Sequence, residues 1–158
     1  MSRPRFAADE MLGSLAKWLR ILGYDTTYEK DKKDDEILKL AIEEGRVLLT
    51  RDKGLARSAE DNALYIESDD IDEQLRQVVS RYRLVFNEGF TRCASCGGDL
   101  MRVSREEASK EVPARSLAMT DEFFRCVSCG QYYWKGTHWK SMTERIDSLG
   151  IPHERSLE

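Results

Sequence analysis

Two hydrophobic patterns alternate along the first part of the chain. Short continuous apolar runs occur at Phe6-Ala7-Ala8, Val47-Leu48-Leu49-Thr50 and Ala63-Leu64-Tyr65-Ile66. Runs of this length, without polar interruption, suit strands buried on both faces of a parallel sheet. Between them, apolar residues recur at helical spacing: Leu12, Leu15, Ala16, Leu19, Leu22, then Ile37, Leu38, Ala41, Ile42, then Ile71, Leu75, Val78, Val79, Tyr82. Gly23 and Gly45 stand where the first two helices would stop. Tyr24 to Tyr28 predicts a further short strand, and Lys30 to Lys33 a charged connector. Strands alternating with helices predict an α/β unit, its parallel sheet covered by helices on both faces.

The pattern changes after residue 88. Arg92 to Val103 and Phe123 to Trp134 read as short β-hairpins. The polar stretch between them, Ser104 to Asp121 with Pro113, reads as a loop with room for a helical turn. The expected organisation is an α/β unit over 1–88, a small β unit over 89–137 and a C-terminal helix or tail over 138–158.

Composition narrows the function classes. The chain has 158 residues, 41% hydrophobic and 34% charged, as a globular protein does. No window approaches the roughly 20 consecutive apolar residues of a membrane span. Asp9 and Glu10 interrupt the first apolar run too early for a signal-peptide core, so a cytoplasmic location is the expectation. A net charge of −4 excludes a histone-like mode in which bulk positive charge does the binding. Residues 1–88 hold 15 basic and 19 acidic side chains, so the whole acidic excess lies in the first unit.

Cys93, Cys96, Cys126 and Cys129 form two Cys-x-x-Cys knuckles separated by 29 residues. Disulfides fit poorly without an export signal. Each knuckle can turn two thiolates toward one ion, and two knuckles complete a tetrahedral four-sulfur zinc shell. A closed shell has no open position, so one structural, non-catalytic zinc is expected.

The acids suggest a second site. In open parallel sheets, ligands bind outside the carboxyl ends of the strands. Asp9 follows the first strand, Asp52 follows the third expected strand closely, and Asp34 and Asp35 open the second helix. Carboxylates gathered there would hold magnesium or manganese, hard cations that take oxygen ligands and keep waters. Each acid except Asp9 also reads as an ordinary helix or turn cap, and both readings stay open at this point. Asp9 is the hardest to explain as a cap, because it interrupts an apolar run. Arg20 and Arg51 lie near these acids and can grip phosphate through the planar guanidinium fork. Lys135 and Lys140, with His138 and Arg145, make a modest basic stripe suited to RNA backbone. Tyr133 and Trp134 suit either base stacking or packing of the ribbon, with packing favoured.

Several strings resemble the Mut7-C family. They are Asp9-x-Met11-Leu12-Gly13-x-Leu15-Ala16-x-Trp18-Leu19-Arg20-x-Leu22-Gly23-Tyr24-Asp25, Asp34-Asp35-x-x-Leu38-x-x-Ala41, and Gly45-Arg46-Val47-Leu48-Leu49-Thr50-Arg51-Asp52. Phe90-x-Arg92-Cys93-x-x-Cys96 and Cys126-x-x-Cys129-Gly130-x-x-Tyr133-Trp134-x-Gly136-x-His138 extend the resemblance into the second unit. It implies a PIN-like three-layer α/β/α ribonuclease domain with a parallel sheet, followed by a zinc ribbon. It also implies a metal-dependent endoribonuclease, with Asp9, Asp34 or Asp35, and Asp52 in the positions of the PIN acids. Many PIN domains carry one further acid on a helix, and no helical counterpart is visible here; Glu29 and Asp31 lie outside any recognisable helix. The rival expectation is a non-catalytic adaptor that binds RNA or protein through a degenerate PIN fold. A protein partner fits either reading, and the oligomeric state stays open.

Overall fold

The computed structural model describes residues 3–154. The outermost residues of the first and last expected segments, 1–2 and 155–158, lie outside the described residues.

The first unit is a four-stranded parallel sheet with helices on both faces. Its strands are β1 (Phe6–Ala8), β2 (Thr26–Tyr28), β3 (Val47–Thr50) and β4 (Ala63–Tyr65), in the order β2-β1-β3-β4. Its helices are α1 (Gly13–Leu22), α2 (Asp34–Glu43), α3 (Lys53–Ala59) and α4 (Ile71–Tyr82). Alternation along the strands divides the core. Phe6, Ala8 and Leu49 face α1 and α4, in a cluster with Leu15, Leu19 and Val78. Ala7 and Leu48 face the other way, against Ile37, Ala41 and Leu55 of α2 and α3. Ala7 and Ala8, fully buried in the central strand, allow both helical layers to close on the sheet.

Gly23 ends α1 with φ 108°, and a Cβ there would lie 2.9 Å from the Phe90 Cβ. Backbone conformation and close approach both require glycine at that position.

α3 was not legible in the apolar pattern. It is one short element with only Leu55 and Ala59 buried, and its start is fixed by Asp52 as N-cap. Ile42 departs from the expected stripe. It is 52% exposed, because α2 turns only Ile37 and Ala41 inward.

The second unit is one antiparallel sheet of three strands, β5 (Leu100–Val103), β6 (Phe123–Cys126) and β7 (Tyr132–Trp134). The first expected hairpin is corrected accordingly. Residues 92–99 form a knuckle turn, and β5 finds its partner across the long connection, in β6. That connection holds two helical turns, α5 (Arg105–Ala108) and α6 (Ala114–Leu117). Ala108 and Val112 from it pack with Val103 and Phe123 into a small separate core.

The chain then returns to the first unit through α7 (Thr137–Ser148). Ile146 of α7 is fully buried in the α1/α4 core, and Ile151 joins it. Phe86 N donates to Pro152 O at 2.8 Å, and Glu154 N to Phe86 O at 2.9 Å, which fastens the end of the chain beside the linker.

Candidate functional site

The carboxyl edge of the parallel sheet gathers the expected acids. Asp9 directly follows β1 and is 9% exposed, low for a carboxylate. Three donors hold it: Thr50 Oγ1 at 2.5 Å with Arg51 N at 3.3 Å on Oδ2, and Met11 N at 3.1 Å on Oδ1. The bond from Met11 makes Asp9 the N-cap of a single 3-10 turn over Glu10–Leu12, a cap after all and against the expectation from sequence. The Thr50 hydroxyl also accepts from Asp52 N at 3.0 Å, so one threonine at the end of β3 links the two aspartates. Asp52 is exposed and caps α3, accepting from Leu55 N at 2.9 Å on Oδ1.

Asp34 and Asp35 are exposed in the first turn of α2. α2 returns antiparallel to the strands between parallel β2 and β3, so its N-terminal end lies at the same edge. The four acids share an edge but do not converge tightly. Among the described residues, the cysteines are the one group of three or more His, Cys, Asp or Glu ligands within 4.8 Å of one another.

Glu29 is an acid at this edge that helix-seeking sequence reasoning passed over. It follows β2 as Asp9 follows β1, one step beyond the aligned pair Ala8 and Tyr28, and its N donates to Ala8 O at 2.9 Å. It is 7% exposed and paired with Lys32 Nζ at 2.9 Å. Burial, the largest single influence, pushes its carboxyl upward, but the hydrogen bond and charge of Lys32 together with its other neighbours hold it below the usual range. The available signal was its place at a strand end.

The basic residues divide. Arg51 reaches the end of β4, with Nε 3.4 Å from Ile66 O. Arg20 is buried, donating to Thr26 O and Ala94 O at 2.9 Å each. It sits at the far end of α1 and ties the first cysteine knuckle to the first unit. Lys135 bridges Glu88 at 3.0 Å and Glu122 at 2.7 Å, and Lys140 is exposed on α7.

The four cysteine sulfurs lie within 4.8 Å of one another, with Cys93–Cys129 at 3.6 Å and Cys96–Cys126 at 3.4 Å. A tetrahedral shell with sulfurs about 2.3 Å from zinc sets them about 3.8 Å apart, so the donor set is compatible with a structural zinc. Gly97 and Gly130 take φ of 82° and 81°, the left-handed turns that fold each knuckle back. Backbone N–H groups of Ser128 and Cys129 point at Cys126 Sγ, each at 3.4 Å. Burial opposes ionisation of Cys126, yet these donors and the neighbouring thiols draw it down to about 6. Tyr133 Oη lies 2.9 Å from Cys93 Sγ, and burial with that neighbour pushes its phenol up to about 12, so it stays a neutral donor.

The Mut7-C RNAse domain model matches residues 4–146, nearly the whole chain and both units. No curated protein and no solved structure matches it. Among the described residues, no helix is long and apolar enough to cross a membrane.

Proposed function

The chain belongs to the Mut7-C RNAse domain family, and from that membership we propose that it is a metal-dependent endoribonuclease that hydrolyses RNA phosphodiesters. The observation that carries the reading is Asp9. Its carboxylate is 9% exposed at the carboxyl end of β1, held by donors on both oxygens and joined through Thr50 to the backbone N–H of Asp52, which fixes an anion at the sheet edge where ligands bind.

Asp9 and Asp52 are the residues that would hold magnesium or manganese, with Asp34 and Asp35 reached through water and Glu29 as a further neighbour. The loose spacing of the acids suits such an ion, which is usually bound by one or two carboxylates and keeps several waters. When bound, the ion would lower the pKa of a water and neutralise charge developing on the phosphate. The chain's own part is orientation. Met11 N, Thr50 Oγ1 and Arg51 N fix the Asp9 carboxylate, and the α3 cap fixes Asp52. Arg51 is placed beside this edge to meet a phosphate through its planar fork. The cysteine ribbon would hold one zinc that supports folding and not chemistry. Lys140, exposed on α7, would add a backbone contact, whereas Lys135 is occupied by Glu88 and Glu122.

A short fluorescent RNA incubated with the purified protein tests the reading. Cleavage should require added magnesium or manganese and should fall below detection in Asp52→Asn. Cleavage that persists unchanged in Asp52→Asn and Asp9→Asn would remove the acids from the reaction. The alternative is an adaptor that binds RNA without cutting it. RNA bound but never cut under these conditions would establish it.

A further inference from the structure

A cavity of about 270 Å³ lies in the seam between the ribbon and the first unit. Phe124, Tyr133, Trp134 and Trp139 line it. Phe124 and Tyr133 are aligned neighbours on β6 and β7, and Trp139 comes from α7. Tyr133 cannot swing away, because its hydroxyl is held by Cys93 Sγ and by Ala94 N at 3.1 Å. Glu88, Glu122 and Lys135 supply the charged groups of the lining. This cavity is separate from the carboxyl edge. The ribbon docks on the far end of α1, a helix of ten residues and therefore about 15 Å long.

We propose that this cavity takes one unpaired guanine base of the RNA, a subsite that rests on the ribonuclease reading above and adds sequence preference to it. A cavity of this volume lined by aromatic side chains matches the way single-stranded RNA is held, by stacking of splayed bases. The charged trio selects the part of the nucleotide that enters. Two carboxylates against one ammonium repel a phosphate and favour an edge rich in N–H donors. Guanine offers two adjacent donors, N1–H and N2–H, and the acceptor O6 beside them. Lys135 uses two of its three donors on Glu88 and Glu122, which leaves one for that acceptor. Cytosine and uracil each present at most one donor position on that edge. A base held about 15 Å or more from the acid edge lies a few nucleotides from the cut, where it would set register and not chemistry.

The test reads binding without catalysis. Trp134 and Trp139 report on the cavity, whereas Trp18 lies elsewhere under Arg145. The full chain is titrated with guanosine, 5′-GMP, 5′-AMP, 5′-CMP and 5′-UMP without added magnesium or manganese. Guanosine and 5′-GMP should change tryptophan fluorescence with similar affinity, about fivefold or more tighter than 5′-AMP, 5′-CMP and 5′-UMP, and 5′-AMP binding as tightly as 5′-GMP would overturn the guanine assignment. Phe124→Leu keeps apolar volume but removes a ring, and should weaken guanosine about tenfold. Glu122→Gln is a surface change that leaves the ribbon core untouched, and it should erase the guanine preference. Asp9→Asn should bind guanosine like the unaltered chain, so loss of cleavage and loss of the subsite are read separately. The proposal is overturned if guanosine gives no response, if all four nucleotides bind alike, or if Glu122→Gln keeps the preference. It also falls if an arginine-rich peptide, and not guanosine, perturbs these tryptophans; the seam would then be a protein-docking surface.

Discussion

At the scale of single residues, the two linked aspartates carry different structural duties, and this decides which is the cleaner probe. Asp52 caps α3 through one oxygen, and asparagine caps a helix as well as aspartate does. Asp52→Asn should therefore change stability by no more than about 0.5 kcal/mol while removing the charge a cation needs. Asp9 accepts from donors on both oxygens. Asp9→Asn turns an NH₂ group toward a backbone N–H and should cost about 1–3 kcal/mol. Paired urea titrations and cleavage assays should show loss of activity in both variants and loss of stability in Asp9→Asn alone. The sequence made Asp9 legible as an acid interrupting an apolar run. It hid Glu29, because an acid at the end of a three-residue strand has no periodic signal around it.

Asp25 gives the pH counterpart. Burial, the largest single influence, tends to raise its carboxyl, but the Arg46 guanidinium at 2.9 Å, Arg92 and Arg5 together hold it below the ordinary aspartate range. Arg46 is itself nearly buried and also bonds Phe6 O and Glu44. A depressed folded-state pKa stabilises the fold above the unfolded-state value, about 3.9, and the contribution is lost as pH falls through the lower folded value. Asp25→Asn should lower stability at neutral pH and make the decline below about pH 4 shallower. Denaturant midpoints across the acid range check this. A decline as steep in the variant as in the original would assign acid sensitivity to other carboxylates.

At the scale of elements, runs of buried strand and stripes of helix were readable because both patterns repeat a physical period. α3 was not, since a seven-residue helix with two buried residues shows too little of its period. The ribbon's pairing was unreadable for another reason. β5 joins β6 across a connection that the pattern leaves ambiguous, so adjacency in sequence misassigned the first hairpin. The knuckles were fully legible, as two thiolate pairs at fixed spacing, but the residue that seats them was not. Arg20 was expected on a phosphate near the acids; its fork instead clasps Thr26 O and Ala94 O, joining α1, β2 and the first knuckle. Arg20→Lys keeps the charge but cannot reproduce that fork. It should cost about 2 kcal/mol or more and speed the release of the proposed zinc to a chromogenic chelator, with metal content per chain unchanged before challenge. Unaltered release would mean that the ribbon holds its shape without help from α1.

At the scale of the whole molecule, the return of the chain makes the first unit depend on its last helix. The apolar pattern of residues 1–88 suggests a self-contained core, yet that core lacks a side until α7 arrives. Ile146 fills it among residues of α1 and α4, and Arg145 pairs with Asp72 on α4 at 2.5 Å. The ribbon is thereby held at both ends, by Arg20 and the linker on entry and by α7 on exit. Ile146→Ala removes a fully buried side chain and should cost about 2–5 kcal/mol. Arg145→Ala breaks an exposed pair and should cost about 1 kcal/mol or less. The consequence for folding is sharper than either number. If α7 completes the first core, Ile146→Ala should lower the urea midpoint of the parallel-sheet unit itself, followed by far-UV circular dichroism after zinc has been chelated. If instead α7 merely rests on a finished domain, the chelated protein should unfold at the same midpoint with or without Ile146. The first outcome makes the two ends of the chain one cooperative unit around the sheet that carries the acids, with the ribbon as an insertion between them.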